Sequence, residues 1–203
     1  MPVTGMKYRK VSSWFDCYSF DHLNRAEDEK GYYQSVGRIN ELITKEDKEH
    51  GIPSDRVVVG GLSQGGSVAI LTMLTTERPL AGLYALSTYV PLRHQIPEIA
   101  TPFAKMTPIL WCHGNADEQV AYDAWKSISR RLTEHLGMPF FATTADPGKQ
   151  WTREDVKKMH EDPAIPVVSL QHRTYLGLEH WVNMDELHDV GVWISVRVPD
   201  LDV

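Results

Sequence analysis

Five residues constrain this chain more than any others. Gly61-Leu62-Ser63-Gln64-Gly65 follows the β-branched run Arg56-Val57-Val58-Val59-Gly60 and opens onto a small, apolar, helical stretch from Gln64 to about Thr76. The pentapeptide matches G-x-S-x-G, which between a strand and a helix forms a sharp, strained turn that lifts a serine hydroxyl above the end of a sheet. The turn has little room for side chains, so glycines flank the serine. The helix that begins beyond it points backbone N–H groups toward any negative charge that develops there. Gly65 and Gly66 are further expected to let the helix approach the sheet closely. A phosphate-binding loop is disfavoured, because the P-loop lysine is missing and G-x-G-x-x-G is not matched.

The rest of the chain supplies the same alternation. Tyr32, Val36, Ile39 and Ile43 recur on one helical face from Asp28 onward, and Gly51 and Pro53 stop that helix. Ala81 to Leu86 and Ile109 to Cys112 read as strands, separated by a Pro-rich loop from Tyr89 to Pro108. Ala121 to Leu136 is helical, Val167 to Tyr175 is a last strand, and Asn183 to Val196 a last helix with Met184, Leu187 and Ile194 on one side. This order predicts an α/β fold with a mostly parallel sheet flanked by helices, in one domain over 1–203. Residues 137–166 break the rhythm with four prolines, two glycines and many charges. They are expected to form an inserted loop, either solvated surface or a substrate-gating lid, with Thr152-Arg153-Glu154-Asp155 as a capping-box-like start for a short helix.

A serine hydroxyl is a weak nucleophile until a base takes its proton, and in this strand–turn–helix setting the partners follow in the order Ser, acid, His. Asp117 lies just past the Ile109–Cys112 strand, with Glu118 and Asp123 as competing acids. Of the five histidines beyond it, His135, His160, His172, His180 and His188, only His180 occupies a loop just past a strand, and it is the expected general base. Asp117 would hold its imidazole in the useful tautomer. His113 is read as packing or hydrogen-bonding beside the acid loop.

Composition removes other classes. The 21 Lys and Arg against 27 Asp and Glu leave a formal charge of −6, which argues against a nucleic-acid binder. Two cysteines and no C-x-x-C pair support neither a disulfide scaffold nor a thiolate zinc site, and no metal or cofactor is expected. No apolar stretch approaches the roughly 18 residues that would span a bilayer, and no secretory h-region is seen, so the expected address is the cytoplasm, with the nucleus as a second compartment.

Several blocks in order resemble the acyl-protein thioesterase and carboxylesterase family of the α/β-hydrolase fold: Ser13-Trp14-Phe15-Asp16, Gly51-Ile52-Pro53-Ser54-Asp55-Arg56, Gly60 through Gly66, Leu80-Ala81-Gly82-Leu83-Tyr84-Ala85-Leu86-Ser87, and His113-Gly114-Asn115-Ala116-Asp117. The resemblance implies a serine esterase acting on palmitoyl-protein thioesters, lysophospholipids or small carboxylic esters. It carries over Ser63, Asp117 and His180 as the triad and the N–H of Gln64 as one oxyanion donor. Two departures stand out. Gly177-Leu178-Glu179-His180 sets a carboxylate beside the imidazole, which would raise its pKa if the two were close. The family's His-Gly-x-Gly-Asp block, which supplies a second oxyanion donor, and the first strands are not seen ahead of Ser13, so an N-terminally truncated hydrolase is expected. An open sheet edge and a tendency to homodimerise would follow. The alternative is a weakly active or inactive remnant serving as an acyl-binding or interaction module.

Overall fold

The computed structural model describes residues 2–200. A small antiparallel hairpin, β1 (Pro2–Val3) and β2 (Arg9–Lys10), opens the chain. Helix α1 (Glu29–His50) follows; the Asp28 side chain accepts from Gly31 N–H at its start, and Gly51 closes it in the left-handed conformation at φ 66°. Then come β3 (Val58–Leu62), α2 (Gln64–Thr75), β4 (Gly82–Leu86), the short α3 (Ile96–Ile99), β5 (Ile109–Gly114), α4 (Tyr122–Leu136), β6 (Phe140–Thr144), α5 (Arg153–Glu161), β7 (Leu170–Tyr175) and α6 (Met184–Arg197).

The five long strands pair in parallel in the order β3-β4-β5-β7-β6. β5 shows why its sequence is apolar throughout. Ile109 and Trp111 enter the core formed with α1, α2 and α4, while Leu110 and Cys112 enter the core under α6. Burial on both faces is the lot of a central parallel strand. On the outer side of β3 no described strand pairs, and an apolar groove of about 300 Å³ runs there, lined by Trp14, Ile39, Leu42, Val58 and Tyr84 among others.

Two expectations need correction. The 137–166 stretch is not a plain loop: Phe140–Thr144 adds an edge strand to β7, and Arg153–Glu161 forms a helix that packs on α6. Its capping box is present, with Thr152 and Asp155 bonded reciprocally. None of its residues lines the cavity at Ser63. The strand leaves little trace in the sequence because it is short, largely exposed and framed by Pro139 and Pro147.

The buried face of α6 also differs from the expected one. Met184 and Leu187 are exposed, whereas Glu186, Asp189, Val190 and Trp193 are buried. Asp189 explains part of this. Its carboxylate receives Arg173 Nε at 2.7 Å, Tyr175 Oη–H at 2.8 Å and Trp151 N–H at 2.6 Å, which ties α6 and the segment before α5 to β7. Glu186 has no such partners for either carboxylate oxygen.

Burial, reinforced by the nearby Asp189 charge, pushes the Glu186 carboxyl up to about 8, against an ordinary 4.5. Between those values the folded chain holds a proton that the unfolded chain releases, so this group makes stability fall as pH rises through that window. The expected outcome is that Glu186→Gln matches wild type near pH 4.5 and gains on it up to pH 8, by about 1–3 kcal/mol, the scale of an uncompensated buried polar group. Denaturant titrations of both proteins across that range check it; parallel pH profiles would contradict it.

Candidate active site

The serine turn has the geometry its sequence demands. Ser63 sits at φ 52° and ψ −117°, between β3 and α2. This is a costly conformation for a residue with a Cβ, and it persists only where the surroundings over-determine it. Ser63 N–H donates to Leu86 O at 2.9 Å, and the Ser63 carbonyl accepts from Thr88 Oγ1 at 2.6 Å and from Ser67 N–H at 3.0 Å. A Cβ on Gly61 would lie 2.7 Å from the Gly65 carbonyl carbon, and one on Gly66 would lie 2.7 Å from Thr88 Cβ. At Gly65 the nearest atom is Trp14 Nε1 at 3.7 Å, so only Gly66 of the pair serves close approach.

The acid and the base arrive from neighbouring strands. His180, in the loop after β7, places Nε2 3.0 Å from Ser63 Oγ and Nδ1 2.8 Å from Asp117 Oδ2. Asp117 lies in the turn after β5. Its Oδ1 accepts from Gln119 N–H at 2.9 Å and Val120 N–H at 2.8 Å, while Oδ2 also faces His113 Nε2 at 3.1 Å. Trp111 Nε1 donates to His113 Nδ1 at 3.4 Å, which leaves the His113 proton on Nε2, aimed at Asp117 and the Val120 carbonyl. Burial pushes the Asp117 carboxyl up, but the bonds from His113, His180 and Val120 outweigh it and hold the group well below the usual carboxylate range. The carboxylate therefore stays ionised wherever the protein is folded at ordinary pH.

The competing residues are elsewhere. Glu118 is exposed, and Asp123 sits in the first turn of α4, where a negative charge suits the helix dipole. Among the described residues no ion pair joins Glu179 to His180; the carboxylate that reaches the imidazole is Asp117. His172 is buried inside β7, His160 bonds to Arg197, His188 to the Trp151 carbonyl, and His135 lies in the last turn of α4.

The Gln64 backbone N–H opens α2 and so has no intrahelical acceptor, next to Ser63 Oγ. Its side chain is tethered: Gln64 Oε1 accepts from Ser13 Oγ at 3.0 Å and Trp14 N–H at 3.3 Å. Around these groups lies a cavity of about 210 Å³, with Cys17, Phe20, His22 and Tyr89 in its wall. His22 precedes the serine in the chain, so a search running downstream from Ser63 passes it over. Burial, then the Arg25 charge, pushes its imidazole down to about 4.

The sequence profile of the phospholipase/carboxylesterase family matches residues 1–161. The chain belongs to that family. Like it, acyl-protein thioesterase 1 of Cryptococcus neoformans is 33% identical over 199 residues, covering 96% of this chain and 74% of its own length. Acyl-protein thioesterase 1 of Neurospora crassa is 37% identical over 205 aligned positions, covering 98% and 71%. The crystal structure of Arabidopsis thaliana SOBER1 superposes with a TM-score of 0.75 at 27% identity, covering 97% of this chain and 79% of that one. The parallel sheet flanked by helices is thus the α/β-hydrolase architecture of the family.

The glycine contacts make a sharp forecast for this family member. Gly61→Ala and Gly66→Ala should each cost about 1–3 kcal/mol, the usual penalty of forcing atoms into packed space. Gly65→Ala should stay within about 0.5 kcal/mol of wild type, as at an uncrowded site. Urea midpoints of the three variants measure this, and equal losses at all three would refute it.

Proposed function

We propose that this chain is a serine hydrolase of acyl thioesters and carboxylic esters, with palmitoyl groups on protein cysteines as its foremost substrates. One observation carries the reading: Ser63 Oγ, His180 and the Asp117 carboxylate form a continuous relay with links of 3.0 and 2.8 Å. S-acylated protein substrates are supported by the names of the fungal relatives, acyl-protein thioesterase 1. Lysophospholipids and small acyl esters share the same carbonyl chemistry and are proposed as further substrates. The whole span 1–203 is taken as one α/β-hydrolase domain working in the cytoplasm. Among the described residues no helix is long and apolar enough to cross a membrane.

In the proposed mechanism His180 Nε2 takes the Ser63 proton as Oγ attacks the acyl carbonyl carbon. Asp117 fixes the tautomer through Nδ1 and stabilises the imidazolium that forms. The Gln64 N–H faces the oxygen that gains charge. His180 then returns the proton to the leaving thiolate or alkoxide. A water molecule, activated by the same imidazole, releases the acid. Acyl transfer through a serine requires no metal or cofactor.

A fluorophosphonate probe should label wild type at Ser63 and leave Ser63→Ala unlabelled, and Ser63→Ala should not release palmitate from an S-palmitoylated peptide. Asp117→Asn should lower kcat by about 10⁴ through the wrong imidazole tautomer. Wild type that neither labels nor hydrolyses would overturn the reading.

A second property rests on the side of β3 that no described strand pairs and the apolar groove along it. Unpaired edges backed by apolar surface recruit further strands. A homodimer joined at this edge is the proposed consequence. Light scattering at tens of micromolar should give twice the chain mass for wild type and the single mass for Leu42→Glu, whose esterase activity should be unchanged. A monomeric wild type would dismiss the dimer without touching the hydrolase.

A further inference from the structure

Apart from the triad and the Gln64 N–H, the cavity at Ser63 offers few groups able to hydrogen-bond a substrate. The Ser13 hydroxyl is committed to Phe15 O at 2.5 Å and to Gln64 Oε1. Cys17 Sγ donates to Ser19 O and accepts from Arg25 Nη1 at 2.9 Å. Tyr89 Oη accepts from Arg25 Nη2 at 2.6 Å. Ser12 and Gln119 are exposed. His22 differs from all of these. Its ring stacks on Tyr89 with centroids 4.5 Å apart, and Arg25 locks Tyr89 by lying over it at 4.8 Å. The imidazole is therefore held in place, and catalysis rewards donors that are already positioned.

The two ring nitrogens have different surroundings. Nδ1 is enclosed and has no partner. Nε2 has no partner among the described residues either, and it is reached from the cavity. A buried acceptor without a partner is tolerated better than a buried N–H without one, so the proton belongs on Nε2, facing the cavity. Burial keeps the ring uncharged at neutral pH. A neutral imidazole can polarise a carbonyl, as the histidine of triosephosphate isomerase does.

We propose that His22 Nε2–H donates a hydrogen bond to the substrate carbonyl oxygen, acting alongside the Gln64 N–H in the oxyanion site. This rests on the serine-hydrolase reading. As Ser63 Oγ bonds the carbonyl carbon, its proton passes to His180 Nε2 and the carbonyl π pair moves onto oxygen. His22 keeps its own proton throughout and only shares it.

The test uses the full chain, p-nitrophenyl octanoate as substrate, and three variants whose melting temperatures are recorded. His22→Phe keeps the stack on Tyr89 and removes the donor; His22→Gln puts an amide N–H near the Nε2 position; His22→Asn puts it near Nδ1. Loss of one oxyanion donor typically costs about 10²–10³ in kcat. His22→Phe and His22→Asn should lose that much with KM within about threefold of wild type, and His22→Gln should stay within about tenfold in kcat. Retained kcat in His22→Phe, an effect in KM alone, or equal losses in the Gln and Asn variants would overturn the proposal. If His22→Phe does not fold, the Gln and Asn pair decides alone. Hydrolysis that persists in Ser63→Ala would instead mark failure of the underlying hydrolase reading.

Discussion

Everything at the site depends on the backbone of Ser63 being held at a positive φ. That conformation turns the chain from β3 into α2 within one residue and leaves the hydroxyl standing clear of both. It is unfavourable in isolation, and the cost is offset by the neighbours that hold it. Leu86 O, Thr88 Oγ1 and the Ser67 N–H fix the peptide groups on either side of Ser63. Gly61 and Gly66 leave the space that a tighter turn requires. The turn cannot relax without breaking the β3–β4 ladder or lifting α2 off the sheet. Stability of the sheet is thereby converted into accuracy of one oxygen atom.

The parallel topology then brings the other groups to that oxygen. Each strand ends on the same side of the sheet, so the loops after β3, β5 and β7 converge, as ligand-binding loops do in open α/β sheets. β5 and β7 are hydrogen-bonded neighbours, which sets the Asp117 turn beside the His180 loop. The Asn115 side chain reinforces this by accepting from Gly177 N–H at 2.7 Å, and Ala116 N–H donates to Leu178 O at 3.1 Å. The acid and the base are thus locked to each other through their loops as well as through their side chains.

How much of this was legible depended on which forces set each element. α1 and β5 were readable because apolar burial alone decides them, and periodicity records apolar burial directly. The relay was readable because chain order and loop placement constrain it before any distance is known. The face of α6 was not, since it buries Glu186 and Asp189 while exposing Met184 and Leu187, which inverts the usual code. β6 was missed because an exposed edge strand owes its pairing to β7, and nothing in Phe140–Thr144 announces a partner. His22 had no spacing signal at all. Its place is fixed by stacking on Tyr89, 67 positions away in the chain, and only the fold brings the two together.

The two imidazoles of the cavity illustrate how environment divides labour between identical side chains. His180 faces the ionised Asp117, so a proton arriving on Nε2 from Ser63 is met by a nearby negative charge. His22 faces Tyr89 and the Arg25 guanidinium, so a proton arriving there would be opposed by a nearby positive one. The first ring is therefore suited to transferring protons and the second to sharing one. Charging both would set two cations in one small cavity, and the Coulomb cost would fall on the step of the proposed mechanism in which His180 becomes imidazolium. In the proposed mechanism, keeping His22 neutral leaves the Asp117 charge free to stabilise a single imidazolium, the one formed on His180.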